Sequence, residues 1–225
     1  MKLLIFFIIT IFSFANTKIA VCGNLENVLK KINNKYHLKA QIYTGSSGEL
    51  ASDLLWQPNR YDIFISANKK YIDNLMKYNI CKKSKILTYA TILLISKKIK
   101  LHSLNDLINA KKIVIANPDY APFGKISKKI LIKTNLFNKI KDKLILKNNV
   151  AEVNKNILAH PNWIGISSNS AILLKVHYIH ILIKYYKPLP QTICLVNKKG
   201  EKIYNFLVSP TIKNLLKKYG YIYEY

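Results

Sequence analysis

The chain has 225 residues, half of them apolar, which is enough for a substantial core in one compact body or two small lobes. Its formal net charge is +25, but nearly all of the positive charge is lysine scattered along the chain, and Arg60 is the only arginine. That pattern argues against a nucleic-acid reader, because base readout and phosphate clamping favour arginine and a gathered basic arm.

Met1-Lys2 and the apolar run Leu3 to Phe14 make a segment too short to span a bilayer. It is expected to be a secretory signal peptide over residues 1–15, with small residues at Ser13 and Ala15 for cleavage before Asn16. No later stretch reaches transmembrane length, so the mature protein is expected to be exported and soluble. Lys18 to Cys22 reads as a strand, and Leu25, Val28, Leu29 and Ile32 place a helix up to Tyr36, with Asn24 as its N-cap. Leu38 to Tyr43 is the next strand. Gly45-Ser46-Ser47-Gly48 then makes a turn in which glycine supplies unusual backbone angles. Ser46 or Ser47 caps a helix whose buried stripe is Leu50, Leu54 and Leu55.

Tyr61 to Ala67 is a third strand, followed by a helix from Lys69 to Lys77. Ile86 to Ser96 reads as one long buried strand, and Ser103 to Leu107 as the start of a short helix. Lys112 to Ala116 is a strand running into the turn-rich loop Asn117 to Lys125, before a helix carrying Ile126, Ile130 and Leu131. Leu144 to Leu146, a helix through Leu158, and Trp163 to Ser167 follow. Ser167-Ser168-Asn169-Ser170 then leads into a short helix. Thr192 to Val196 is the last strand, before helices around Ile203 to Leu207 and Pro210 to Lys218.

Strands alternating with helices predict an α/β fold with crossover connections, whose ligands bind beyond the carboxyl ends of the strands. The strand-to-helix loops are repeatedly polar or glycine-rich, which suggests a pocket built from helix starts. Such starts offer free N–H groups and a positive dipole end to an anion.

The chemistry of an enzyme is missing. There is no GxSxG elbow, HExxH motif, P-loop or dinucleotide fingerprint, and no close carboxylate pair for acid–base work. His177 and His180 would share a helical face as metal ligands, or else flank an exposed lysine-rich segment; the second reading is preferred and no metal is expected. Cys22, Cys81 and Cys194 form no disulfide framework, and either one pair or buried free thiols would satisfy them. Glu26 and Glu49 are expected to face outward.

Several stretches together carry a family pattern: Gly45-Ser46-Ser47-Gly48-Glu49-Leu50, Tyr61 to Ala67, Asn117-Pro118 with Ala121 to Lys125, Trp163 to Ile166, and the Lys218-Tyr219-Gly220-Tyr221 ending. From about Lys18 onward the chain resembles the periplasmic molybdate-binding proteins of bacterial ABC transporters. The resemblance implies a two-lobed type II periplasmic binding fold, each lobe a mixed, mostly parallel sheet flanked by helices. The first lobe would take residues 16–88 plus 198–225 and the second 89–197, with hinge crossings near residues 88 and 197 and the ligand cleft between the lobes.

The resemblance also implies a monomer that holds molybdate or tungstate through neutral hydroxyl and N–H donors, with no cofactor, and delivers it to a membrane ABC permease and its ATPase. Matched position by position, the binding residues are Asn24, Ser47 (or Ser46), Phe123, Val153 and Ser168. Asn24 stands where the family has serine, and Ser168 where it has tyrosine. A different anion, sulfate-like or a small anionic metabolite, is the alternative ligand. A lysine-rich exported protein binding nucleic acid or acidic surfaces is the alternative class, though no nucleic acid is expected as a partner.

Overall fold

Short apolar runs rich in isoleucine and valine alternate here with amphipathic stretches, and the alternation folds as strands joined by crossover helices. The computed structural model describes residues 16–223, so the expected signal peptide lies outside the described residues. The elements run β1 (Lys18–Cys22), α1 (Glu26–Lys35), β2 (Gln41–Gly45), α2 (Ser47–Trp56), β3 (Ile63–Ser66), α3 (Lys69–Lys77) and β4 (Lys83–Ala90). They continue as β5 (Ile92–Ser96), α4 (Asp106–Asn109), β6 (Ile113–Ala116), α5 (Pro122–Lys133), α6 (Phe137–Ile140), β7 (Leu144–Lys147) and α7 (Val150–Ala159). β8 (Ile164–Ser168), β9 (His177–His180), β10 (Leu189–Leu195), α8 (Glu201–Leu207) and α9 (Pro210–Lys218) follow.

Two five-stranded sheets form among the described residues, ordered β2-β1-β3-β10-β4 and β7-β6-β8-β5-β9. In each, two pairings are parallel and two antiparallel. The architecture is therefore two-lobed α/β with mixed sheets, as the family pattern implies, though each sheet is half antiparallel rather than mostly parallel, because β10 and β5 enter the two sheets against their neighbours. The first sheet is buried on both faces, and its strands show it. Ile19, Val21, Ile63 and Ile65 face one apolar cluster with α1, whereas Ala20 and Phe64 face a second with α2 and α3.

The chain crosses between the sheets at Thr91 and over residues 181–188. The run Ile86 to Ser96 is thus two strands, not one. β4 belongs to the first sheet and β5 to the second, and both are apolar enough that no breaker separates them. The second crossing lies upstream of the expected position near 197, because β10 returns to the first sheet between β3 and β4. Thr91 is gripped at its crossing. Its N–H donates to Asn169 Oδ1 at 3.2 Å, and its carbonyl accepts from the Asn169 N–H at 3.1 Å.

Other expectations change for local reasons. Cys81 and Cys194 form a disulfide, Cα–Cα 5.7 Å, once β10 lies beside the end of α3, while Cys22 stays a buried thiol. Leu55 is 41% exposed rather than part of the stripe, since the buried face of α2 is Leu50, Ala51 and Leu54. His177 and His180 lie on a strand, where positions three apart point to opposite faces, so they cannot share a helical face. Gly45 and Gly48 do not have positive φ; their value lies in close approach, described below.

Candidate functional site

The carboxyl ends of β1, β2 and β3 meet those of β6 and β7 across a small, nearly filled cleft. From the first lobe it is lined by Cys22, Gly23, Gly45, Ser46, Ser47 and Ala67; from the second by Ala121, Pro122, Phe123, Asn149 and Val150. No charged side chain is among these lining residues. What the cleft offers instead follows from the helix starts.

Ser46 is the N-cap of α2. Its hydroxyl accepts from the Glu49 N–H at 3.2 Å, and Glu49 Oε2 accepts from the Ser46 N–H at 2.9 Å. The Leu50 N–H bonds the Ser46 carbonyl, leaving the N–H groups of Ser47 and Gly48 as the unused donors of that first turn. Ser47 Oγ accepts from the Ala67 N–H at 2.9 Å, so its own hydroxyl proton is free to donate. In the second lobe α5 opens on Ala121-Pro122 without a side-chain cap. Pro122 has no N–H and the Lys125 N–H bonds the Ala121 carbonyl, so Phe123 and Gly124 carry the spare donors.

α7 mirrors α2. Asn149 Oδ1 accepts from the Glu152 N–H at 3.1 Å, and Glu152 Oε2 accepts from the Asn148 N–H at 3.2 Å. The Val153 N–H is committed to the Asn149 carbonyl at 3.2 Å, so the unused donors of this turn are Val150 and Ala151.

The expected site residues therefore separate. Ser46, Ser47 and Phe123 come together at the cleft, whereas Val153 is buried one turn inside α7. Asn24 is not an N-cap, since α1 begins after Leu25 without a side-chain cap. It is buried beside Cys22, with Oδ1 3.0 Å from Cys22 Sγ, its carbonyl bonded by the Tyr221 hydroxyl at 2.6 Å, and Nδ2 without a partner. Ser168 ends β8 on the hinge side. Its hydroxyl is 2.7 Å from Ser170 Oγ and it does not line the cleft. Gly23, Val150 and Ala151 had no sequence signal beyond their place at a helix start.

Two glycines let the lobes meet. A Cβ on Gly23 would lie 2.7 Å from Asn149 Oδ1 and 2.8 Å from the Ala151 nitrogen, and one on Gly48 would lie 2.9 Å from the Tyr120 carbonyl oxygen. The lobes touch at both places, so the cleft is closed. The carboxylates closest in sequence are engaged elsewhere. Glu49 serves its own cap, and Glu26, buried contrary to expectation, pairs with Lys30 at 2.5 Å. Burial pushes the Cys22 thiol up to about 12, so it stays neutral at the cleft floor. Among the described residues no group of three His, Cys, Asp or Glu is placed to hold a metal ion.

Residues 17–222 match the family described as bacterial extracellular solute-binding protein. No curated protein matches in sequence. Among solved structures, the periplasmic molybdate-binding protein of Azotobacter vinelandii superposes with TM-score 0.83 at 19% identity, covering 93% of this chain and all of that one. The substrate-binding domain of a molybdenum ABC transporter, so described, from Clostridium difficile gives 0.66 at 22%, covering 93% and 99%. PEB3 of Campylobacter jejuni, bound to L-phospholactate, gives 0.70 at 16%, covering 93% and 100%.

Proposed function

Since this chain belongs to the bacterial extracellular solute-binding protein family, we propose that it captures a tetrahedral oxyanion, molybdate or tungstate, outside the cytoplasm. It then delivers the anion to a membrane ABC permease with its ATPase. In this reading it acts as a periplasmic monomer exported by its N-terminal segment, and does no chemistry on its ligand.

One observation carries the reading: helix starts from both lobes converge on a small cleft that no charged side chain lines. Molybdate and tungstate carry no proton near neutral pH, so their oxygens need donors only. The Ser46 and Ser47 hydroxyls and the spare N–H groups of α2, α5 and α7 supply those, aided by the helix dipoles. Asn24 Nδ2, buried and unpartnered, is the further donor of the first lobe. Protonated phosphate would seek an acceptor, and the lining holds no carboxylate. Closure then follows differential binding: the anion bridges donors from both lobes across the cleft.

Isothermal titration with molybdate, tungstate, sulfate and phosphate in turn tests this. Tight one-to-one binding of molybdate or tungstate is expected, weakened about 10- to 100-fold by Ser47→Ala, as for loss of a hydrogen bond to a charged group. Heat with sulfate or with a small phosphorylated acid alone would assign the cleft to that anion instead. Silence with all of them would leave the family's fold without its oxyanion role.

A further inference from the structure

We propose that the end of the first lobe opposite the cleft is a lipid-facing surface that adsorbs to anionic phospholipid bilayers. Topology decides which groups gather there. β1, β2 and β3 are parallel, and α2 and α3 both start at the cleft end of those strands, so both helices finish at the opposite end. They pack into one apolar cluster, which holds their ends side by side. Yet the residues at those ends turn outward: Trp56 is 85% exposed, Tyr78 65%, and Leu55 and Met76 41% each. Exposed tryptophan and tyrosine with an aliphatic neighbour are the composition that favours the headgroup layer of a bilayer.

Positive charge surrounds this patch. β10 runs antiparallel to β3, which brings the start of α8 to the same end. The acids present are already engaged: Asp53 with Arg60 at 3.6 Å, Asp62 with Lys199 at 3.7 Å, and Glu201 with Lys83 at 2.9 Å. Lys77, Lys82 and Lys202 have no carboxylate within salt-bridge distance among the described residues and remain as surplus charge. Aromatic anchors and unpaired lysines thus share one face, and an anionic membrane complements both.

The test mixes the protein, as the cell exports it, with vesicles of phosphatidylcholine alone or with phosphatidylglycerol added, and reads flotation. Flotation with the anionic vesicles only, lost at high salt, is expected, together with a blue-shifted Trp56 emission in a Trp163→Phe background. Trp56→Ser/Tyr78→Ser is expected to lower flotation on the order of tenfold while leaving the melting curve and anion titration intact. Leu182→Ser/Ile183→Ser, an exposed apolar pair in the crossing after β9, is expected to leave flotation unchanged. Equal flotation of the Trp56/Tyr78 variant would overturn the proposal, as would no flotation at low salt. A concentration-dependent dimer abolished by Trp56→Ser would overturn it too, since a second copy would then cover the patch.

Discussion

In the first lobe the groups at the cleft include side chains, the Ser46 and Ser47 hydroxyls, beside the spare N–H groups of Ser47 and Gly48. In the second lobe they are backbone, the N–H groups of Phe123 and Val150 at the cleft with those of Gly124 and Ala151 spare in the same first turns, and the one polar side chain there, Asn149, already caps its helix. The lobes share a strand order and present helix starts in the same way, yet only one is armed by residue type. A half-site of hydroxyls is open to alanine substitution; a half-site of N–H groups is not, because every residue but proline has one. The lobes also differ in how they are held. A disulfide ties β10 to the end of α3 in the first, and nothing comparable is present in the described part of the second.

The largest expected effect breaks that last asymmetry. Cys81 and Cys194 are 113 residues apart, and the loop they close contains the entire second lobe. Reduction, or Cys81→Ser/Cys194→Ser, is expected to cost about 4–5 kcal/mol in denaturant unfolding, from chain entropy returned to the unfolded state. An unchanged midpoint would mean the first lobe holds β10 by packing alone.

Next come substitutions that keep a cap but add a charge. Ser46→Asp and Asn149→Asp both retain an N-cap oxygen and suit a helix dipole, so stability should stay within about 1 kcal/mol. Each places a carboxylate where an anion would sit, and like charges in a closed site cost several kcal/mol. Affinity for the oxyanion is therefore expected to fall more than about 100-fold in both variants, read by titration. If only Ser46→Asp does so, the second lobe does not face the ligand at α7.

A smaller effect separates the lobes by pH. Cys22 belongs to the first lobe, and burial raises its thiol from 9.0 to about 12. The folded state keeps a proton that the unfolded chain releases, so stability is complete below pH 9 and is lost as pH rises toward 12. By about pH 10.5 the loss should be about 2 kcal/mol, and Cys22→Ala should flatten that slope in melts taken from pH 8 upward. A slope identical in the variant would put the alkaline sensitivity in the buried tyrosines, such as Tyr221, whose hydroxyl is also raised by burial.

Much of this was legible in the sequence, and the parts that were not share a cause. α3 runs from Lys69 to Lys77 as expected, and in the structure Asn68 caps it and Ile72 and Leu75 form its buried face. Ser46 is one of the two caps expected for α2 and is the one observed, whereas the return bond from Glu49 and the place of Pro122 in the first turn of α5 come from the structure. The division of Ile86 to Ser96 at Thr91 is not visible, since a strand that leaves one sheet for another stays apolar on both sides. The same holds for β10: its place in the first sheet, and with it the Cys81–Cys194 pairing, is decided by a partner strand far away in sequence. Val153 differs from Val150 and Ala151 only by where a helix begins, and a shift of one turn moves an N–H from free to bonded.

The smallest expected effect bears on whether the second lobe truly contributes no hydroxyl. Ser168 lies at the hinge end of β8, fully buried, with its oxygen shared with Ser170, whose hydroxyl also accepts from Asn154 Nδ2 at 3.3 Å. Removing the Ser168 hydroxyl leaves Ser170 its Asn154 contact, so Ser168→Ala should cost about 1 kcal/mol of stability. Because the cleft is lined by other groups, oxyanion affinity should change less than about twofold, within the error of distant-site additivity. A tenfold loss of affinity would show that this hydroxyl turns toward the ligand as the lobes close. The second lobe would then be armed by side chains as the first is, and the division of labour between them would collapse to a difference in number.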